Sequence, residues 1–408
     1  MSGRAWFASL KERIRRHPRA FKAVAAILRL ILGVLSAPLY PARVKFLRFT
    51  ALGRIGHLAA EPDIFIKERM LGMRSWVYGV ILSPPGTAAN ECLLDYWRRH
   101  VKVVRSSLWV AILSRFQQFP HLCFDVGRYT LAINETAPSV AVQAAWGNRP
   151  ALLALSAQHQ REGRALLSAL GVPADAGIIC FHCREEGFSP SDEALHSFRN
   201  CNIENYLPAV AALAKQGYWC MRMGDPTMRR LGTMERILDY AHLEIRSDWM
   251  DVFLCASCRF FLGSPSGLSE VASVFGRPCA MANQAPLSTL LKFGFNDVAI
   301  PKLLWSDEQG RYLGFREIFD SEIANFRFTT QYRERGLRLV ENTREDISDL
   351  ALEVLQRSSK GTAYSSEDEE RQRRFKALMR PGHYSYGGVT RIGRDFLRKY
   401  ANLLDGKS

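Results

Sequence analysis

The chain has 408 residues, 47% of them hydrophobic and 23% charged, and a net charge of +15. That length holds two packed domains and an extra segment, and that hydrophobic share excludes a globally disordered chain. The charge sits at the ends: residues 1–50 carry eleven Lys/Arg against the single Glu12, residues 357–408 carry twelve basic against six acidic, and the body between is close to neutral, which argues against a nucleic-acid enzyme, whose charge gathers on its working surface.

Residues 1–45 read as a basic and apolar helical segment. Lys11, Arg13, Arg15, Arg16, Arg19 and Lys22 precede an apolar run from Ala23 to Ala37 that only Arg29 breaks. The run is shorter than the ~20 residues that span a bilayer. As a signal peptide it would have its apolar core split by a charge. Two readings remain: an amphipathic helix making peripheral membrane contact through residues 1–40, or a basic helix packed on the protein's own body. Lys/Arg ahead of the apolar run would hold the body on the cytoplasmic side were the segment to insert. The expected location is the cytoplasm, at the inner face of its membrane.

Residues 50–170 predict a first Rossmann-like α/β domain. Gly53-Arg54-Ile55-Gly56-His57 makes a glycine-bearing turn, with helical spacing from Leu58 to about Met70. Trp76 to Leu82 predicts a strand, Glu91 to His100 a helix and Val101 to Val104 a strand; residues 105–150 show no clear element.

A second Rossmann-like domain is expected over 175–340. Strands are predicted at Gly177 to His182, Tyr218 to Met223 and Arg259 to Leu262, with a helix over Ile203 to Gln216. Another helix follows Asp248, read as its N-cap. Gly263-Ser264-Pro265-Ser266-Gly267 then turns into a helix from about Leu268 to Phe275, with Gly276 at its C-cap. This alternation predicts parallel, doubly wound sheets, whose ligands sit beyond the strands' carboxyl ends. Arg184, Asp225, Ser264 and Ser266 all fall at such ends. Residues 341–408 predict a helix over Glu345 to Leu355, then a partly ordered, solvated tail.

A hydroxyl-rich turn opening a helix offers free N–H groups and a positive dipole end to phosphate. Arg184 beyond a neighbouring strand adds a guanidinium suited to phosphate oxygens. Glu270, in the first turn of that helix, reads either as a ligand of sugar hydroxyls or as a solvent-facing carboxylate; Asp225 reads as a hydroxyl ligand or a turn cap. No Gly-x-Gly-x-x-Gly follows a strand and no Gly-x4-Gly-Lys-Ser/Thr occurs, so nicotinamide and P-loop readings lose their support. There is no Asp-x-Asp and no His/Asp/Glu cluster with metal spacing, so no metal is expected and cationic side chains must carry leaving-group charge. The pairs Cys180/Cys183 and Cys255/Cys258 lie in apolar strand and helix-end contexts, and predict packed thiols rather than zinc ligands.

Several separated stretches occur in one order: Cys183-Arg184-Glu185-Glu186-Gly187-Phe188, Arg199-Asn200 through Ile203 to Pro208, Arg222-Met223-Gly224-Asp225-Pro226, Arg246 to Asp251, and Phe260 to Leu268. Together they resemble a family of bacterial glycosyltransferases of surface-polysaccharide biosynthesis, and the resemblance covers roughly residues 50–300. Ser-x-Ser-Gly-Leu-x-Glu-Val with the following Phe-Gly-Arg-Pro is similar to the donor site of heptosyltransferases. His182-Cys183-Arg184 is similar to the basic motif of fucosyltransferases of related fold, with Glu185 where those carry a second Arg. The resemblance implies a GT-B fold, two Rossmann-like domains facing a cleft, and transfer from a nucleotide-diphosphate sugar to a cell-envelope or lipid-linked glycan acceptor. It implies donor binding by Arg184, Arg222, Asp225, Ser264, Ser266, Gly267 and Glu270, and an acceptor or phosphate turn at Gly53 and Gly56. The candidate bases are His57, Glu61 and Asp63. A nucleotide-sugar 2-epimerase of the same fold is a second reading, and a non-catalytic sugar-nucleotide-binding subunit of an envelope assembly complex a third.

Overall fold

The computed structural model describes residues 18–131, 135–187, 194–359 and 363–405. Lys11, Arg13, Arg15, Arg16 and Phe188, which the sequence analysis singled out, lie outside them. The chain opens with α1 (Pro18–Ser36) and β1 (Val44–Arg48), then α2 (Ile55–Met70), β2 (Tyr78–Leu82), α3 (Glu91–Trp97), β3 (Lys102–Val104), α4 (Ser107–Leu113) and β4 (Cys123–Asp125). Among the described residues no helix is long and apolar enough to cross a membrane. The four strands form one parallel sheet in the order β3-β2-β1-β4. β1 escaped the sequence reading because it straddles residue 45, where the stretch read as helical ends. Trp76, read as strand, stands before β2 and is exposed.

After α5 (Pro138–Trp146) and α6 (Ala157–Ala169) come β5 (Ile178–His182), α7 (Leu207–Lys215), β6 (Trp219–Arg222), β7 (Ile237–Leu238), α8 (Asp248–Ser257), β8 (Phe261–Gly263), α9 (Gly267–Val274), β9 (Cys279–Gln284) and β10 (Val298–Pro301). A small antiparallel sheet of β11 (Leu303–Ser306), β12 (Arg311–Tyr312) and β13 (Leu337–Val340) follows, and the strands from β5 to β10 build a parallel sheet ordered β14-β10-β9-β8-β5-β6-β7, in which β14 (Arg391–Ile392) comes from far down the chain. Ile178, Ile179, Cys180 and Phe181 are all fully or almost fully buried. A continuous apolar run of this kind belongs to a parallel sheet covered on both faces, where each large side chain contributes roughly 1.5–3 kcal/mol. Asp248 does not cap α8. Ser247 takes that position, and the Asp248 carboxylate instead accepts the N–H of Glu91 at 2.8 Å, tying α8 to the start of α3. Gly276 ends α9 at φ +74°, as the C-cap reading requires.

The C-terminal expectation is corrected. α10 (Arg344–Ser359) is the predicted helix, but the residues beyond it are packed rather than solvated. α11 (Ser366–Ala377) buries Phe375 edge-on to Phe315 at 5.0 Å, and β14 adds a strand beside β10 with Val298 opposite Arg391. Of the charges that suggested a solvated tail, Glu367 lies exposed and pairs with Arg371, whereas Asp368 is buried and accepts from Arg398 at 2.7 Å. The apolar positions between them are too widely spaced to stand out in the sequence.

By contacts the chain divides into two units. The first holds residues up to Arg48 with Ser75–Pro85 and His100–Asp125; the second holds Phe49–Arg74, Gly86–Arg99 and Val126 onward. The first thus contains α1, α4 and the four-stranded sheet, and the second contains α2, α3 and the seven-stranded sheet. The α/β class with parallel sheets is as the sequence predicts.

Candidate active site

All of the following residues belong to the second unit. β8 ends at Gly263, where a Cβ would stand 2.4 Å from the carbonyl oxygen of His182, so glycine lets the strand lie this close to β5. Ser264, fully buried, follows. Its hydroxyl accepts the Arg184 N–H at 2.9 Å and its own N–H donates to the His182 carbonyl at 3.1 Å, so the ends of β5 and β8 are locked together. Ser266 caps α9 by accepting the N–H of Ser269.

The start of α9 meets the start of α2. A Cβ on Gly267 would lie 2.5 Å from Ile55 Cγ2 and 2.8 Å from the Gly56 nitrogen, and one on Gly56 would lie 3.1 Å from the Gly267 Cα. Two glycines thus bring two helix N-termini against each other, each carrying the partial positive charge of a helix start. Gly53 plays no such part, since a Cβ there would find its nearest neighbour, the Thr87 carbonyl oxygen, at 4.0 Å.

One residue past Gly56, His57 Nδ1 lies 2.7 Å from Glu61 Oε1, one helical turn along α2. Glu61 is fully buried and the His57 side chain is 21% exposed. Thr130 donates to the same Glu61 oxygen at 3.0 Å. A proton on Nδ1 directed at this carboxylate leaves Nε2 as the ring's acceptor, the arrangement of a histidine base held by a buried acid. Asp63, the third candidate base, is not part of this group. It is buried in an ion pair with Lys67 at 2.7 Å.

Glu270 is close to the helix contact, its Cγ 3.7 Å from where a Gly56 Cβ would stand, and it is paired with Lys292. Its carboxylate is therefore held by a cation rather than facing solvent alone. Arg184 donates through Nε to Asn200 Oδ1 at 3.1 Å, and Lys302 donates to the Asn200 carbonyl at 2.6 Å. Arg199 donates to the Pro265 carbonyl at 2.8 Å. Arg199 thus reaches the turn that opens α9, while the Arg184 guanidinium and Lys302 meet at Asn200.

Two expected donor ligands sit elsewhere. Arg222 is fully buried, and its guanidinium is taken by Glu185 at 2.5 Å, Asp239 at 3.2 Å and the Arg229 carbonyl at 2.5 Å. Burial pushes the Glu185 carboxyl above its ordinary range while the Arg222 charge opposes it. Glu185 thus answers Arg222 from within, and a phosphate reaches this cation only if the network opens. Asp225 accepts the Thr227 N–H at 2.9 Å and its hydroxyl at 2.5 Å, closing the turn after β6. His182, at the end of β5, donates through Nδ1 to the Met223 carbonyl at 3.0 Å, and burial lowers its pKa to about 4.

Thr130 and Lys292 were missed by sequence reasoning because each lies in a stretch without periodicity, and Lys302 because a lone lysine after a strand carries no signal. Arg199-Asn200 was visible as a motif, with no role attached. Among the described residues no group of three or more His, Cys, Asp or Glu side chains could hold a metal ion. All nine cysteines are free thiols. The Cys180 and Cys258 thiols donate to backbone carbonyls of Leu254 and Cys255, as packed cysteines do.

No protein-family model matches the chain, and no curated protein matches it in sequence. Among solved structures it is similar to a glycosyl transferase of family 9 from Veillonella parvula, with a TM-score of 0.44 and 8% identity over 77% of this chain and 97% of that one. It is also similar to the E. coli ADP-heptose LPS heptosyltransferase II, with a TM-score of 0.37 and 12% identity over 58% of this chain and 84% of that one. A third is E. coli heptosyltransferase WaaC with ADP-2-deoxy-2-fluoro heptose, with a TM-score of 0.33 and 13% identity over 63% of this chain and 92% of that one.

Proposed function

We propose that the chain is a GT-B glycosyltransferase that moves a sugar from a nucleotide-diphosphate donor to a cell-envelope or lipid-linked glycan acceptor at the cytoplasmic face of the membrane. The observation that carries this reading is the meeting of α2 and α9 at Gly56 and Gly267, with the His57–Glu61 pair following Gly56 along α2 and Arg199 bonded to the turn that opens α9. The donor diphosphate would lie at the N-terminus of α9, where backbone N–H groups and the guanidinium groups of Arg184 and Arg199 would meet the charge that builds on the leaving phosphate. Fixed donors of this kind cost no reorganisation during the reaction, and they supply without a metal ion what a bridging cation would supply.

His57 would take the proton of the attacking acceptor hydroxyl through Nε2. Glu61 positions the ring and favours the imidazolium that results, and Thr130 orients Glu61. Lys292 holds Glu270 beside the helix contact, where its carboxylate can meet a sugar hydroxyl.

A thermal-shift screen against UDP, GDP, CMP and ADP, with and without EDTA, tests the donor site. A ligand of the native state stabilises it by roughly 2.7 kcal/mol at a hundredfold excess over its dissociation constant. The expected result is a shift selective for one nucleotide, unaffected by EDTA and lost in Arg184→Ala. No shift with any nucleotide refutes the donor site. A shift accompanied by sugar epimerisation, or by binding without turnover of any nucleotide sugar, replaces the transferase reading with the epimerase or the binding subunit.

A further inference from the structure

A helix on the surface of a soluble protein turns its apolar stripe inward. In α1 the stripe turns outward. Ile27, Leu30, Ile31, Val34 and Leu35 recur at the spacing of one helix face, and each is 49–71% exposed. The other face does the packing. Gly33 sits against the Phe119 ring, Ser36 is buried with its hydroxyl 3.2 Å from His121 Nε2, and Leu32 packs on a small core of Phe46, Phe116 and Leu122. Lys22 and Arg29 fall on this side of the helix, away from the stripe, and are exposed. Helix α4 stands on the same small core through Leu113 and turns Leu108, Trp109 and Ile112 to solvent, each 42–67% exposed.

Charge is as uneven as hydrophobicity. Residues 18–48, 75–85 and 100–125 of this first unit hold nine Lys or Arg and one acid, Asp125, which is itself paired with Arg48 at 2.7 Å. Five more Lys or Arg precede them in the sequence, against Glu12 alone. We propose that the outward face of α1, together with Leu108, Trp109 and Ile112 of α4, seats the protein on an anionic lipid surface. The apolar stripe enters the boundary between headgroups and acyl chains, Trp109 lies at the interface that favours its amphipathic ring, and the net positive charge of the unit draws it to the anionic surface. A second copy of this chain is a poor occupant by comparison. A two-fold interface is self-complementary, and a unit with nine cations and one acid meets like charge in its own image.

The surface lies in a different unit from the donor site, and vesicle binding is read without nucleotide, so the two readings fail separately. The full chain is floated with vesicles of phosphatidylcholine alone and with vesicles containing about 30% phosphatidylglycerol, at low and high salt. Binding is expected to the anionic vesicles only, and to weaken with salt. Leu30→Glu/Val34→Glu should cut the bound fraction on the order of tenfold or more, with the melting temperature and the nucleotide shift unchanged because both side chains face solvent. Trp109→Ser should weaken binding less. Failure of the wild-type protein to float with anionic vesicles, or floating of the double variant as well as wild type, overturns the proposal. So does a wild-type dimer in solution that the double variant dissociates without any vesicle binding, which would assign the face to a second copy.

Discussion

Gly267→Ala probes the contact on which the candidate site is built. The added methyl group would stand 2.5 Å from Ile55 Cγ2 and 2.8 Å from the Gly56 nitrogen. Carbon atoms come to rest at about 3.5–4.0 Å, so α2 and α9 must part by about 1 Å. The Ile55 side chain can rotate away, but the Gly56 nitrogen is backbone and moves only with its helix. Overpacking of this kind costs about 1–3 kcal/mol, and alanine returns at most ~1 kcal/mol of helix propensity. The expected net loss is therefore about 1–2 kcal/mol. Gly56→Ala is the control. Its Cβ would meet the Gly267 Cα at 3.1 Å, a crowding relieved by a few tenths of an ångström. Propensity then roughly offsets the clash, and the change should stay within about 0.5 kcal/mol. Urea unfolding separates the two: the midpoint should fall in Gly267→Ala at unchanged slope and barely move in Gly56→Ala. A Gly267→Ala protein as stable as wild type, or a Gly56→Ala protein that is the weaker of the two, would refute the close approach of the helices.

Other substitutions reach the chemistry and the packing. His57→Ala should lower the transfer rate by about 10²–10⁴-fold with its melting temperature kept; a rate near wild type removes His57 as the base. Glu61→Gln, which keeps the shape but not the charge, should lower kcat while leaving the KM for donor unchanged, measured by initial rates. His182 should make stability acid-sensitive. Its folded pKa of about 4 lies below the ordinary value of 6.5, so the unfolded chain binds the proton more readily in that window and stability falls as pH drops through it. The loss attributable to this group is about 2 kcal/mol at pH 5, and His182→Gln should flatten the wild-type difference between melts at pH 7 and pH 5. Phe375→Ala removes a fully buried ring from the C-terminal packing and should cost about 3–5 kcal/mol in denaturant unfolding; a cost under about 1 kcal/mol would mean the segment is only loosely attached.

What was legible in the sequence was what periodicity and turn chemistry encode. Gly177 to His182 reads as a strand, and the hydroxyl-rich turn and Gly276 mark the two ends of α9. The glycine turn and the hydroxyl turn were each visible, but that they touch was not, because a contact between residues 56 and 267 leaves no trace in either local pattern. Arg222 shows the same limit from the other side. The family resemblance implied a donor ligand, whereas Glu185 and Asp239, 37 and 17 residues away, make it an internal ion pair. Asp248 was read as a cap and is one, but for another helix. The C-terminal packing was hidden by composition: charges dominate α11, and Phe375 alone supplies the ring that anchors it.

The pairing of β14 with β10 has a consequence for how the protein is made. β10 ends at Pro301 and its outer neighbour begins at Arg391, about 90 residues later, which is roughly 5–20 s of synthesis at ordinary elongation rates. Through that interval a nascent chain presents the backbone of Val298 and Ala299 as an open strand edge, the kind of template on which chains pair with one another. The second unit also draws α2 and α3 from segments synthesised between strands of the first. The second unit therefore stays incomplete until residue 391 has been made, whereas every segment of the first precedes residue 126. A ribosome-bound chain stopped short of residue 391 should be the species that chaperones hold.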